Sequence, residues 1–127
     1  MYTSIRYFKR EEAEALLPQL SPLLSQIRRE QEIIHAKFKE WEIAERSGKA
    51  GDAAILHGQL EFMAKNIEDT IDRIHRFGCV LKDLNSGLID FPARIDGKEA
   101  YLCWKFGEPA IRFWHDMTKG FSGRKPL

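Results

Sequence analysis

A carboxylate, a thiol, an imidazole and a guanidinium fall within residues 87–127, at Asp90, Cys103, His115 and Arg124, with a second carboxylate at Glu108. Carboxylate, thiolate and imidazole are ordinary ligands of a divalent transition metal, and a thiol beside an imidazole is a starting point for nucleophilic catalysis. Which of them can meet depends on backbone register. Asp96-Gly97 is a strong hairpin signal, because both central residues of a type I′ turn need positive φ. A two-residue turn there sets Ile95 opposite Lys98, Ala93 opposite Ala100, Phe91 opposite Leu102 and Ile89 opposite Trp104, an apolar face to be packed against helices. The other face carries Arg94 with Glu99, Pro92 with Tyr101 and Asp90 with Cys103, followed by Lys105. After a turn around Gly107-Glu108-Pro109, a third strand over residues 111–116 adds either His115 or Trp114 to that face, depending on turn length. Bonded and non-bonded pairs alternate along the hairpin. Pro92 therefore falls in a non-bonded pair, which predicts its strand at a sheet edge.

The plainer reading of this face has Asp90 paired with Lys105 or a backbone N–H, Cys103 packed as a small hydrophobe and His115 bonded to a carbonyl. The spacing matches no zinc signature, so neither metal nor cofactor is assigned; Cys103 and His115 are the weak metal candidates. As ligand-binding candidates we take Asp90, Glu108, His115 and Arg124. Glu108 sits in a Gly-Pro turn that presents polar groups, His115 ends a strand and brings an imidazole that can donate or accept, and Arg124 offers a planar donor to a carboxylate or phosphate. Alternatively Arg124 and Glu108 pin the glycine-rich tail GFSGRKPL (120–127) onto the sheet.

The elements that must hold these groups start with two long helices. Apolar residues at Ala13, Leu17, Leu20, Leu24, Ile27, Ile34, Phe38 and Trp41, with Gln31 as the one polar seam position, have the spacing of a coiled-coil seam. This predicts a first helix to about residue 46, kinked or broken at Pro18 and Pro22. SGKAGD (47–52) is turn chemistry. The stripe Leu56, Leu60, Met63, Ile67, Ile71, Ile74 and Leu81 predicts a second helix, loosened at Gly78 and stopped by Asn85-Ser86-Gly87. The expectation is one α+β domain over residues 1–127: a long antiparallel helical hairpin over about 10–84, then a small antiparallel β-meander of three or four strands over about 87–127. The segment YTSIRYF (2–8) reads as extended and is the candidate fourth strand.

Two i,i+3 carboxylate–histidine pairs, Glu32/His35 and Asp72/His75, have the spacing used by dinuclear carboxylate bundles. Both sit one position off the seam, so they read as solvated helix flanks.

Composition narrows the function classes. Of 127 residues 43% are apolar and 31% charged, and twenty basic residues against nineteen acidic ones leave a net charge of +1. A domain living on phosphate contacts carries a basic excess, so nucleic acid is not expected as a partner. No apolar run approaches the roughly 20 residues of a membrane span, and no signal-like apolar core opens the chain. Two cysteines without CxxC spacing read as free thiols of a cytoplasmic protein.

The motifs EEAEALLP (11–18), GLIDFPA (87–93), YLCWKFGEP (101–109), IRFWH (111–115) and GFSGRKPL (120–127) resemble a family of small bacterial proteins catalogued as domain of unknown function 2203. The resemblance covers essentially the whole chain. It implies that Asp90, Cys103, Trp104, Glu108, Trp114, His115 and Arg124 belong to a shared signature, and it brings no reaction with it. Lys9 departs from the pattern, which has a hydroxyl residue capping the first helix. Second-row apolar residues Leu16, Leu23, Ile33, Ile43, Ile55 and Phe62 exceed what one small sheet can cover. The expected function is therefore a non-catalytic interaction module that forms a helical homodimer. The alternative is a small-ligand or metal-binding protein, open to being an enzyme, with its polar site at the C-terminal sheet and an unknown protein or a small anion as partner.

Overall fold

The computed structural model describes residues 5–127. Two helices, α1 (Arg10–Arg46) and α2 (Ala50–Arg76), precede the strands β1 (Val80–Asp83), β2 (Leu88–Ile95), β3 (Lys98–Lys105), β4 (Phe113–Asp116) and β5 (Lys125–Pro126). Among the described residues these five strands form one antiparallel meander in the order β1-β2-β3-β4-β5. The α+β class, the helical hairpin and the meander are as expected, with two strands more than the hairpin and third strand read from the sequence. The segment over residues 5–8 has no regular secondary structure and adds no strand, and residues 2–4 of that expectation lie outside the described residues. No helix among the described residues is long and apolar enough to cross a membrane.

The chain divides into two compact units. One holds Arg73–Leu127 with the described part of Met1–Leu24, and the other is Ser25–Asp72. In the first, α1 begins without a hydroxyl cap. Glu12 Oε1 instead accepts the Lys9 N–H at 2.8 Å, the carboxylate half of a capping box. The helix runs unbroken through Pro18 and Pro22. Both prolines are four residues apart on the exposed face, where the carbonyls they leave free can be hydrated, while Leu16, Leu20, Leu23 and Leu24 are buried. Burying four leucines outweighs two missing hydrogen bonds.

α2 ends earlier than its apolar stripe suggests. Gly78, at φ +97°, stops it, and Val80 and Leu81 enter β1 instead of a further helical turn. Leu81 keeps helical spacing with Ile74 by coincidence; a short run of apolar residues fits either period. β1 then pairs with β2 at Val80–Asp90 and Leu81–Ile89. Hence β2 is not an edge along its first half. Pro92 lies beyond the end of β1, and its carbonyl, directed away from β3, accepts the Phe8 N–H at 2.7 Å.

The β2–β3 hairpin has the register derived from its turn, from Ile95–Lys98 to Ile89–Trp104, with Asp96 at φ +53° and Gly97 at φ +77°. Ile89, Phe91, Ala93, Ala100, Leu102 and Trp104 are buried with Phe8, Leu20, Ile74 and Ile111 in the core of this unit.

In the Ser25–Asp72 unit, α1 closes on a Schellman motif. Gly48, at φ +71°, donates to the Glu45 carbonyl and Lys49 to the Ala44 carbonyl. Only Ile27, Ala44, Ala53 and Thr70 are buried among the described residues of this unit, whereas Ile33, Phe38, Ile43, Ile55 and Phe62 are exposed.

Candidate functional site

The face of the sheet opposite the core brings Asp90, Cys103 and His115 together from three adjacent strands. Asp90 and Cys103 are directly opposed. Theirs is a non-hydrogen-bonded pair, in which side chains approach most closely. His115 is opposite Tyr101 in β4, one pair further along, and its ring reaches diagonally to Asp90. The turn length thus selects His115, not Trp114, for this face. Asp90 is 2% exposed, Cys103 0% and His115 2%. One donor atom from each lies within 4.8 Å of the other two.

The hydrogen bonds define the imidazole tautomer. His115 Nδ1 lies 2.8 Å from the Asp116 carbonyl, which can only accept, so Nδ1 carries a hydrogen. Nε2 then faces Asp90 Oδ1 at 3.0 Å. The expectation that His115 bonds a carbonyl is correct. Asp90 pairs with His115 rather than with Lys105, and the Tyr101 ring covers the imidazole at a centroid distance of 5.4 Å. Burial pushes the Cys103 thiol up to about 12, with the Asp90 carboxylate adding to the shift and Arg124 only partly opposing it. Such a thiol stays protonated at neutral pH, so the nucleophilic reading loses its nucleophile.

Glu108 and Arg124 form a second, adjoining cluster. Arg124 donates to Glu108 from Nη1 at 3.0 Å and from Nη2 at 2.6 Å, and Nη2 also reaches the Cys103 carbonyl at 3.1 Å. Its guanidinium lies over the Phe113 and Phe121 rings at 4.0 and 4.6 Å. Glu108 further accepts the Lys105 N–H at 2.7 Å, closing the turn after β3. Burial alone would raise the Glu108 carboxyl, but the Arg124 hydrogen bond and charge and the Lys105 N–H outweigh it and hold it below the ordinary value. The turn therefore does not present Glu108 to solvent; it aims the carboxylate back at the tail.

The Arg124–Glu108 contact is the tail-pinning pair that the sequence offered as the alternative to ligand binding. Other polar groups of this unit have internal partners that sequence reasoning missed. Glu14, within the EEAEALLP motif, accepts the buried Ile111 N–H at 3.0 Å across 97 positions of sequence. Trp104 Nε1–H donates to the Glu108 carbonyl at 2.9 Å, which ties the signature tryptophan to the same turn. His75 accepts the Leu81 N–H at 3.2 Å after the end of α2. A cleft of about 410 Å³, lined by Tyr7, His75, Pro92, Glu99, Tyr101 and Met117 among others, draws its walls from segments too scattered for any motif to announce. The Tyr7 hydroxyl donates to Glu99, and both residues line the cleft. On the helices, Glu32, His35, Asp72 and His75 are all exposed, on the flanks where the periodicity places them.

Searches among curated proteins and among solved structures find no match to the chain. A family model described as an uncharacterized conserved protein matches residues 6–127, which takes in both helices, all five strands, the Asp90–Cys103–His115 cluster and the Arg124–Glu108 pair. The chain belongs to that family, DUF2203.

Proposed function

We propose that the protein is a non-catalytic interaction module that works as a homodimer through the outer part of its helical hairpin. The observation carrying this reading is the exposure of Ile33 (48%), Ile43 (57%), Ile55 (63%) and Phe62 (68%) in a unit with few buried side chains of its own. Relative to its seam, α1 carries Ile33 about 100° to one side, and α2 carries Ile55 and Phe62 by a similar angle. In an antiparallel pair those offsets point to the same side of the hairpin. Ile43 joins them, lining one shallow groove with Ile55. Leu16 and Leu23, counted from sequence as part of the surplus, are buried in the sheet unit and drop out of it.

Together the four exposed side chains offer on the order of 400 Å² of apolar surface, the scale at which a patch on a soluble protein marks an interaction site. A standard interface takes about 800 Å² from each partner, and the stems of flanking lysines and glutamates supply the remainder. The groove's charged neighbours are Lys37, Lys49, Glu40 and Asp52, two of each sign. A balanced face can oppose its own copy across a two-fold axis, where a face of one sign would repel it. A non-catalytic role is supported at the sheet, where an anion seeking Arg124 would have to displace Glu108. Two free, buried cysteines fit a reducing compartment such as the cytoplasm.

The test replaces Ile55 and Phe62 together by aspartate and measures mass by light scattering. The expected result is a folded chain, helical by circular dichroism, with the mass of a monomer where the unmodified protein has that of a dimer. An unchanged oligomeric mass in the folded variant would remove this face from the interface.

A further inference from the structure

We propose that Asp90, Cys103 and His115 bind one divalent transition-metal ion of the zinc type, as a structural centre locking β2, β3 and β4 together. The three donors are an oxygen, a sulfur and a nitrogen, a set that selects zinc and its neighbours over magnesium or calcium. Their ligand atoms already lie within 4.8 Å of one another. Around tetrahedral zinc such atoms stand about 3.3–3.5 Å apart. The Asp90–His115 pair is near that spacing at 3.0 Å, so small side-chain rotations bring Cys103 into place.

The surroundings of the cluster are those of a metal site. His115 Nδ1–H is held by the Asp116 carbonyl, which fixes the ring and aims Nε2 at the cluster, the usual outer support of a ligating histidine. Cys103 has its own carbonyl tied by Arg124, and the Arg124 charge is met by Glu108. Charge balance favours a dication: one carboxylate and one thiolate neutralise it, and the Arg124–Glu108 pair beside it is neutral as well. On coordination the thiol and the Asp90–His115 contact each release a proton to solvent, and sulfur, nitrogen and oxygen lone pairs take their place on the metal. The fourth position falls to a water or to the second Asp90 oxygen. Three protein ligands are the number found at catalytic zinc, which keeps its fourth position for substrate; here the burial of all three closes that access, and the centre is assigned a structural role on that ground.

The test is the metal content of the full chain, produced in zinc-supplemented medium and purified without chelator, beside Cys103→Ser and Cys79→Ser. Cys79 is the control, a buried thiol outside the cluster. The expected result is about one zinc per chain in the unmodified protein and in Cys79→Ser, and at least about a tenfold lower content in Cys103→Ser. Cobalt taken up in place of zinc should give a thiolate-to-metal charge-transfer band that Cys103→Ser lacks. A folded, unmodified protein without stoichiometric metal would overturn the proposal, even if the variants fail to fold. Equal zinc in Cys103→Ser would overturn it too, by placing the ion elsewhere.

Discussion

Replacing Arg124 by alanine asks whether the signature arginine is a clamp or a recognition group. In the folded chain it makes three charge-assisted hydrogen bonds, two to Glu108 and one to the Cys103 carbonyl, and lies over two aromatic rings. Breaking a fully buried ion pair costs about 3–5 kcal/mol, and exposed pairs are worth little. The Arg124 and Glu108 side chains are 12% and 24% exposed, nearer the first case but partly screened. Glu108 also keeps its bond to the Lys105 N–H after the arginine has gone. The expected loss is then about 2–4 kcal/mol. For a chain of this length each kcal/mol moves the melting temperature by about 4 °C, so the fall should be roughly 8–16 °C. Thermal and urea unfolding followed by circular dichroism would measure it. Because the two side chains act as a unit, Arg124→Ala combined with Glu108→Ala should be little worse than the more damaging single change. A melting temperature within about 2 °C of the unmodified protein would refute the clamp, and strictly additive losses would refute the coupling.

Two further expectations come from the same unit. The Glu108 carboxyl is held below its ordinary value, so its contribution is complete above about pH 4.3, the unfolded value, and is lost as pH falls through the depressed folded one. The stability gap between the unmodified protein and Glu108→Gln should accordingly be widest at neutral pH and shrink below about pH 4; a gap that grows in acid would reverse the assignment. Gly87→Ala should cost about 2–4 kcal/mol in urea unfolding, because φ there is +70° and a Cβ would stand 2.6 Å from that of Phe106. Gly97→Ala, at φ +77° with open space around it, should cost only about 1–2 kcal/mol, and equal losses at the two sites would mean that Phe106 yields freely.

Local chemistry made much of this fold legible. Asp96-Gly97 alone fixed seven of the eight residue pairs of the hairpin in advance, because a two-residue turn leaves one register, and that register put Asp90 against Cys103. Helical spacing located α1 and α2 for the same reason: a packed stripe repeats with the helix. Where α2 stops was harder, since Val80 and Leu81 suit a strand as well as a helix and only Gly78 separates the two readings. β5 has two residues and could not announce itself by any period. Glu108 could be read from its Gly-Pro turn as a presented group or as the partner of Arg124 pinning the tail; the second reading is the one seen, and only the folding back of the tail decides it, because Arg124 is 16 positions away. Glu14 is the extreme case: its partner is at Ile111, and nothing in a helix-face carboxylate foretells a bond across the chain. The cluster was visible as candidates, but its geometry needed β4, whose register depends on a turn the sequence left open in length.

The central claim concerns the hairpin face, and the mass of the unmodified protein in solution tests it most directly. Sedimentation equilibrium at micromolar concentration should give twice the 14.8 kDa mass of the chain. A single species of 14.8 kDa throughout that range would contradict it, leaving Ile33, Ile43, Ile55 and Phe62 without the second copy that the account assigns to them.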